Sequence, residues 1–234
     1  MFFLKTNLHS HISDDPVDKI SYSALEMIDY AAARNFDVIG ITCHFRVIPI
    51  KENGYEDYAR KKNILLISGI EARIENKDVV ILNCDKNAEN LKTFKDLADY
   101  KTKNPQILIL APHPFVLAGK SLFKELEKNI ALFDAIELTI FSNKLFDFNK
   151  KAELLAKKYN KPFIATSDTH YLKYLDKQYV LIEAENKTAD YILTAIKNSS
   201  FKNTLGPMSL MDMSELTTNR MLKKARAAFH FHFF

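Results

Sequence analysis

Histidine and carboxylate side chains, which are common protein ligands of divalent cations, stand close together in the stretch NLHSHISDDP (7–16). His9 and His11 are one residue apart, and Asp14 and Asp15 follow them. Because residues i and i+2 of an extended strand point to the same side, we expect His9 and His11 to bind one ion together. Asp14 or Asp15 would return over the same site from the following loop.

Further candidate ligands stand at the ends of other short apolar runs. They are His44 in VIGITCH, Glu71 in LLISGIE, His113 in ILILAPH, and Asp168 and His170 in FIATSDTH. A single histidine in such a place is more often packed or solvated than a ligand, but five of the seven histidines share this pattern. Bound cations would relieve the repulsion among crowded carboxylates. Nitrogen and oxygen donors without paired thiolates are typical of zinc, manganese or iron sites.

Alternating strands and helices must position these side chains. Apolar runs predict strands at 36–42, 63–70, 78–84, 106–111, 133–139, 161–167 and 177–183. Apolar residues at three- and four-residue intervals predict helices between most of these runs, and Ser23 and Glu26 stand at the spacing of a capping box. Near-continuous hydrophobicity favours parallel strands covered by helices. In a parallel barrel the carboxyl ends of the strands converge on one face, so the candidate ligands would meet in one pocket.

Composition is typical of a single globular domain, with 234 residues of which 47% are hydrophobic and 26% charged. The net charge of +4 is spread along the chain, so it neither indicates nor excludes nucleic-acid binding. No apolar run reaches the roughly 20 residues that span a bilayer, and Lys5 interrupts the apolar N-terminus. We therefore predict a cytoplasmic protein with no membrane partner. Cys43 and Cys84 indicate no disulfide framework.

The last segment, 207–234, is Met-rich, then basic, then aromatic. We predict a barrel domain over 1–206 and a helical extension over 207–234 that packs on the barrel or trails from it. His230 and His232 form a second HxH pair, but no strand-like run precedes them and no carboxylate follows. We therefore do not predict them as metal ligands.

Taken together, the motifs LHSHISDD, ITCHF, SGIE, APHP and SDTH resemble those of the PHP domain, the polymerase and histidinol phosphatase superfamily, over roughly residues 4 to 185. The resemblance implies an α/β fold, a distorted (β/α)7 TIM-like barrel of the PHP type, with two to three divalent metal ions (zinc, manganese or iron) at the C-terminal ends of its strands. By position, the implied ligands are His9, His11, Glu71 and Asp168 for one ion, Glu71 and His113 for a second, and Asp14 or Asp15 with His44 and His170 for a third.

The sequence departs from the pattern of this superfamily in three places. Asn7 stands where the family motif begins with Asp, and Cys43 stands before His44 where Asp is common. Both changes concern residues that orient metal ligands by hydrogen bonds. The stretch between the HxH pair and Ser13 is about two residues short, and the resulting alignment favours Asp14 over Asp15 for the third site.

The predicted function is that of a metal-dependent phosphoesterase that hydrolyses a small phosphomonoester or a nucleotide or oligonucleotide phosphate. A hydroxide bridging two cations would be the nucleophile. Asp168 and His170 are the candidate catalytic residues, and His170 or a water would protonate the leaving alcohol. One alternative is an amidohydrolase-type metal hydrolase. Another is a non-catalytic regulatory or scaffold module with a structural metal site. The sequence does not indicate an oligomeric state.

Fixed positive charges would bind the phosphate of a small phosphorylated substrate. Arg46 follows His44 by two residues, Arg73 follows Glu71 by two, and Lys120 follows HPFVLAG. Arginine offers paired donors that match phosphate oxygens, although each of these charges could equally be a solvated surface group. Asn143 and Glu137 stand near another strand end and could line the pocket or serve in packing and helix capping.

Overall fold

The computed structural model describes residues 2–117, 119–142, 147–206, 209 and 211–212. Nine strands in this part of the chain form one sheet. They are β1 (Phe2–Asn7), β2 (Val38–Ile41), β3 (Leu65–Ile74), β4 (Lys77–Leu82), β5 (Leu108–Ala111), β6 (Ala135–Leu138), β7 (Phe163–Ala165), β8 (Tyr179–Ala184) and β9 (Phe201–Thr204). The α-helices of the described residues are α1 (Ala24–Ala32), α2 (Tyr55–Lys61), α3 (Phe94–Lys103), α4 (Lys124–Lys128), α5 (Asn149–Lys158) and α6 (Ala189–Lys197).

The sheet order is β7-β6-β5-β4-β3-β2-β1-β8-β9. The strands β1, β2 and β3 pair in parallel, as do β5, β6 and β7. In contrast, β4 runs antiparallel to both β3 and β5, and β8 runs antiparallel to β1 and β9. The sheet is therefore mixed, and the prediction of parallel strands is wrong for β4 and β8.

The reversal at β4 has a local cause. Glu75 and Asn76 connect β3 to β4, and both have left-handed backbone, with φ of 47° and 64°. Two consecutive residues with positive φ form the tight turn that suits a β-hairpin. This turn leaves no room for a crossover helix, so β4 returns beside β3. The hairpin also lengthens β3, and Glu71 lies within that strand rather than at its end.

Two devices bring the edges of the sheet together into a nearly closed barrel. At one end Ser10 and Thr169 form an isolated parallel bridge, in which the His11 amide donates to Thr169 O and the Thr169 amide to His9 O, at 3.1 and 3.2 Å. At the other end β8 and β9 fill the gap between β1 and β7. The Asn203 side chain accepts from the amide of Ala165 at 2.8 Å and donates to Phe163 O at 2.9 Å. The predicted α/β barrel is thus confirmed in its architecture.

The apolar residues sort by the period of the strands. Alternate side chains of the central strands, Val80, Leu82, Leu108 and Leu110, belong to one buried cluster beneath the mouth of the barrel. Their neighbours along β4 and β5 pack under α3, α4 and α5 in a second cluster. A third cluster lies under α1 and α2. The barrel therefore has an apolar floor, which confines its buried charged groups to one end.

The helices predicted between the strands have counterparts, and the capping box of Ser23 and Glu26 forms at the start of α1 as expected. The sequence interpretation missed α2 and β9. In the part of the chain that the structure describes, no helix is long and apolar enough to cross a membrane. The predicted extension over 207–234 lies almost wholly outside the described residues and stays a prediction.

Candidate metal centre

The bridge between Ser10 and Thr169 positions the first and last predicted motifs. It extends β1 and β7 side by side, so that His9, His11 and Asp168 approach one another at the mouth of the barrel. His9 and His11 are wholly buried, and their Nε2 atoms lie 3.3 Å apart. A second isolated bridge joins His44 to Glu71. Backbone pairing beyond the regular strands thus places residues from four motifs in one cluster.

His9, His11, Glu71 and Asp168 form a buried donor group, called the first group below. Five distances join its donor atoms. The Nε2 atom of His9 lies 3.3 Å from Glu71 Oε2 and 3.4 Å from Asp168 Oδ1. The Nε2 atom of His11 lies 3.4 Å from Glu71 Oε2 and 3.2 Å from Asp168 Oδ1. The two Nε2 atoms, of His9 and His11, lie 3.3 Å apart. A tetrahedron with edges of about 3.3 Å has its centre about 2.0 Å from each corner, which is the length of a zinc–nitrogen or zinc–oxygen bond. The five distances therefore match five of the six edges of a tetrahedral site, and the remaining oxygen pair lies within 4.8 Å.

The Asp168 carboxylate supports the same conclusion. Its Oδ1 atom is buried and has no aligned hydrogen bond, although ring nitrogens of His9, His11 and His170 lie 3.2 to 3.4 Å away. Buried polar atoms in folded proteins almost always have a partner. A cation bound among these nitrogens and oxygens would provide it.

The electrostatics of the first group show what replaces a cation in the metal-free protein. Burial by itself would lower the pKa of His9, but the charges of Asp168 and Glu137 outweigh it and raise this pKa to about 10. Burial would likewise raise the pKa of Asp168, yet the neighbouring His9 and His170 hold it well below its usual range. The carboxylates keep protons on the imidazoles, and a cation would compete with those protons.

A second donor group contains Glu71, Asp78 and His113. The Oε1 atom of Glu71 lies 3.2 Å from Nε2 of His113, while its Oε2 atom faces the first group. Glu71 thus stands between the two groups, as the bridging role implied by the family resemblance requires. Burial, followed by the charge of Glu71, raises the pKa of Asp78 to about 6.

Asp78 was missed because the sequence interpretation looked for ligands at the ends of apolar runs. Asp78 stands at the beginning of the run DVVILNC. Because β4 is antiparallel to its neighbours, its beginning, and not its end, lies at the mouth. The local signal is weak, because Glu75 and Asn76 are not the Asn-Gly or Asp-Gly pair of a two-residue hairpin turn. Asn76, a residue type that tolerates left-handed backbone, is the feature that could have suggested the turn.

A third donor group contains His11, Asp15 and His44. The Oδ2 atom of Asp15 lies 2.8 Å from Nδ1 of His11 and 2.9 Å from Nδ1 of His44. Its Oδ1 atom accepts the backbone amides of Val17 and Asp18. Although burial opposes it, hydrogen bonds from the two histidines hold the pKa of Asp15 far below its usual value.

The structure places two residues of the expected third site differently. The alignment favours Asp14, but Asp14 is only half-buried and accepts a hydrogen bond from Ser13, so Asp15, rather than Asp14, belongs to the third donor group. His170 does not join Asp15 and His44. It lies 2.9 Å from Oδ2 of Asp18 through Nε2, and its Nδ1 contacts the backbone oxygen of Asp168. The sequence interpretation missed Asp18, which stands in a loop with no apolar run before it.

Other buried side chains orient the donors. Glu137 lies 2.9 Å from Nδ1 of His9, which directs Nε2 of that ring toward the first group. Asn7 accepts the His9 amide at 3.3 Å and donates to the backbone oxygens of Leu175 and Gln178, so it ties this segment to the barrel wall. Burial raises the pKa of the Cys43 thiol to about 11, so the residue before His44 stays protonated.

The backbone at the mouth carries strain at three non-glycine residues. Phe45, His113 and Asp168 have φ of 57°, 28° and 43°, in the left-handed region that costs such residues energy. Strain of this kind clusters at functional sites. Here the strained residues include two donors, His113 and Asp168, and Phe45, which follows the donor His44.

A cavity of about 180 Å³ opens at the mouth. Arg73 and Lys120 line it, together with Asp18, His44, Glu71, Asp78, His113, Val116, Phe141, Asp168 and His170. Arg46 is exposed and does not line this cavity, contrary to the expectation for a phosphate-binding residue. Asn143 lies outside the described residues. Glu137 is buried against His9 and does not line the cavity.

Comparisons with known proteins agree with this architecture. Residues 146–201 match the family model described as PHP-associated, and no curated protein matches the chain. The structure of PsfC from Pseudomonas syringae PB-5123 is similar with a TM-score of 0.65 and 15% identity, over 96% of this chain and 99% of that one. A protein from Bifidobacterium adolescentis, described as a metal-dependent phosphoesterase, gives a TM-score of 0.56 and 10% identity over 88% and 97%.

The lesion-specific endonuclease Q of Pyrococcus furiosus is also similar, with a TM-score of 0.64 and 16% identity over 86% of this chain. The match covers 57% of that endonuclease, so this chain corresponds to little more than half of it. At such identities the likeness shows the fold. The PHP-associated match over residues 146–201 and these structural neighbours support a domain of the PHP superfamily.

Proposed function

We propose that this chain is a metal-dependent phosphoesterase that acts on a small phosphomonoester or on a nucleotide or oligonucleotide phosphate. One observation carries the proposal: three donor groups contribute to the wall of one small cavity that Arg73 and Lys120 also line. A site with cation ligands and fixed positive charges on the same wall suits an anionic substrate.

The donors would hold two to three divalent cations of the zinc, manganese or iron class. His9, His11, Glu71 and Asp168 would hold one, and Glu71, Asp78 and His113 a second. Asp15 and His44 would serve a third position or orient the rings that face the other two. When bound, the cations would supply an activated water and neutralise charge on the phosphate oxygens.

Arg73 and Lys120 would bind the substrate's phosphate group. Arg73 is half-buried and lines the cavity from β3, where its guanidinium can offer paired donors to two phosphate oxygens. The cavity volume of about 180 Å³ is below the roughly 300–1,000 Å³ typical of sites that enclose a whole ligand. A phosphate group would therefore enter, and the remainder of the substrate would lie outside.

His170 is the residue that we propose as the proton donor to the leaving alcohol. Its ring lines the cavity and is half-buried, and Asp18 contacts Nε2 at 2.9 Å. Although burial opposes it, the Asp168 charge raises the pKa of His170, which favours the protonated imidazole that a proton donor requires. The Asp168 carboxylate would assist His170 by stabilising the positive charge of the protonated imidazole.

The nucleotide and oligonucleotide classes draw support from the relatives. One similar structure is endonuclease Q in complex with a 27-mer duplex that contains an abasic lesion. The net charge of +4 gives no independent indication of such a substrate. We therefore treat small phosphomonoesters and nucleic-acid ends as members of one substrate class that the same phosphate site would bind.

The test combines metal analysis with a substrate screen of the full chain. Metal content would be measured after expression, and zinc, manganese and iron would then be restored singly. Phosphate release from 4-nitrophenyl phosphate, nucleoside 3′- and 5′-phosphates and 5′-phosphorylated oligonucleotides would be followed, with amides and cyclic ureas in parallel. Metal-dependent phosphate release that His11→Ala abolishes supports the proposal.

Two other results would overturn it. Hydrolysis of amides or cyclic ureas alone would indicate the amidohydrolase alternative. Bound metal with no hydrolysis of any of these substrates would indicate the non-catalytic module. Asp99→Asn is the matched control, since Asp99 lies exposed on α3 in an ion pair with Lys95 and should leave every result unchanged.

A further inference from the structure

The β3–β4 hairpin places a basic and an acidic residue opposite each other at the mouth. Arg73 and Asp78 are directly paired in the register of the two strands, two residues along β3 from Glu71. Directly opposed residues share a face of the sheet, and both side chains line the cavity. Nε of Arg73 lies 2.6 Å from Oδ1 of Asp78.

This ion pair is unusual in its burial. The Asp78 side chain is 8% exposed and that of Arg73 is 21% exposed. Neither Nε nor Oδ1 has an aligned hydrogen bond, so the contact is one of charge rather than of directed bonding. A buried carboxylate without aligned donors retains the capacity to bind a cation.

The first and second donor groups differ in whether a positively charged side chain contacts their carboxylates. The first has four donors at mutual distances that fit a cation, and no arginine or lysine among the described residues forms an ion pair with its carboxylates. The second has three donors, one of which, Asp78, is already in contact with a guanidinium. The two cation positions should therefore differ in affinity.

We infer that Asp78 is a ligand of the second cation and that the Arg73 guanidinium competes with this cation for the negative charge of Asp78. The inference rests on the proposed metal-dependent function. In the absence of the second cation, Arg73 offsets the adjacent charges of Glu71 and Asp78. Binding of the cation takes over that role and repels the guanidinium, which is then available to a substrate's phosphate in the same cavity.

A metal titration that needs no substrate tests this inference. The metal-stripped full chain would be titrated with Mn²⁺ at pH 8, and free Mn²⁺ would be measured by its electron paramagnetic resonance signal. The wild type should bind one ion tightly and a second more weakly. Asp78→Asn should retain the tight ion and weaken the second at least tenfold. Arg73→Met should tighten the second ion at least threefold, because it removes the competing charge.

Several outcomes would overturn the inference. They are an unchanged second affinity in Asp78→Asn, a weakened second affinity in Arg73→Met, and a wild type that binds one ion only. Should Asp78→Asn not fold, as judged by circular dichroism, Asp78→Glu replaces it and should alter the second affinity alone. Asp99→Asn again serves as the control. Absence of phosphoester hydrolysis would defeat the proposed function without affecting these affinities, so the two failures are distinguishable.

Discussion

The carboxylate of Glu137 lies 2.9 Å from Nδ1 of His9, and both side chains are wholly buried. This contact fixes the ring so that Nε2 faces the other donors of the first group. Carboxylates behind ligand histidines set the tautomer and raise ligand basicity. Glu137 is therefore expected to strengthen metal binding without contacting the ion.

We predict that Glu137→Gln weakens binding of the first cation by about 10- to 100-fold. The amide keeps the shape of the side chain but loses the charge that supports His9. Competition with a chelating zinc indicator would measure the change. Glu125→Gln is the control, because Glu125 pairs with Lys128 at the surface of α4. Equal zinc affinity in wild type and Glu137→Gln would contradict the assigned role.

Zinc should stabilise the folded protein strongly. Ligands that bind only the native state add about 2.7 kcal/mol when present at 100 times their Kd. We predict that the melting temperature of the metal-stripped chain rises with added zinc, and that His11→Ala, which lacks one donor of the first group, shows little rise. Differential scanning calorimetry would measure both proteins. A rise of equal size in His11→Ala would show that zinc binds elsewhere.

The metal-free protein should lose stability as pH rises above neutrality. Burial alone would lower the pKa of His113, but the Glu71 carboxylate outweighs it and raises the pKa to about 9. A group whose folded pKa is raised contributes stability that is fully present below its unfolded pKa of roughly 6.5 and is lost as pH passes through its folded pKa. The loss from His113 should therefore fall between about pH 6.5 and 9.

Guanidinium chloride unfolding of wild type and His113→Gln at pH 6 and 9.5, with chelator present, would isolate this contribution. The free energy of unfolding should fall more between the two pH values in the wild type than in the variant. Equal falls in the two proteins would show that the imidazole is not protonated in the metal-free state.

The proposed proton donor makes a prediction about leaving groups. His170→Gln should slow hydrolysis of alkyl phosphomonoesters by about 100-fold or more, the usual contribution of a general acid. It should slow 4-nitrophenyl phosphate much less, because that leaving group departs without a proton. The ratio of kcat values for the two esters would be compared with that of the wild type. An equal loss on both esters would assign His170 to metal binding or to structure.

The closure of the barrel by Asn203 should contribute to stability. The side chain accepts one backbone hydrogen bond from β7 and donates another to it. Because a hydrogen bond contributes about 0.5–1.5 kcal/mol net, Asn203→Ala should lower the free energy of unfolding by roughly 1–3 kcal/mol. Urea unfolding would measure the loss. Lys202→Ala, at the neighbouring position of β9, provides the comparison and should change the unfolding free energy little.

The convergence of the histidines could be predicted from the sequence because strand ends on one edge of a barrel must meet. The sequence could not predict how the side chains are oriented within the cluster or which of them contact each other. The choice between Asp14 and Asp15 depends on a loop in which the Asp15 carboxylate accepts two nearby amides. A count of residues between motifs does not reveal such a local turn.

The direction of β4 was the main error of the sequence interpretation, and it had a functional cost. An apolar run is equally compatible with a parallel and an antiparallel strand, since periodicity carries no direction. The two residues Glu75 and Asn76 decide the matter, and they bring Asp78 to the mouth. Arg46 shows that equal spacing from a donor does not ensure the same position. It follows His44 by two residues, as Arg73 follows Glu71, but it lies outside a regular strand and is exposed.

The bridge between Ser10 and Thr169 joins two segments that are far apart in the chain. Asn7 and Ser167, which contact each other in the same two segments, are separated by 160 positions. Contacts of such long range are intrinsically slow to form. During synthesis, a ribosome must therefore release β7 before the halves of the first donor group can meet. A nascent or truncated polypeptide would carry the HxH pair and Glu71 without Asp168, so full loading of the first donor group with metal would mark the chains whose synthesis has passed this point.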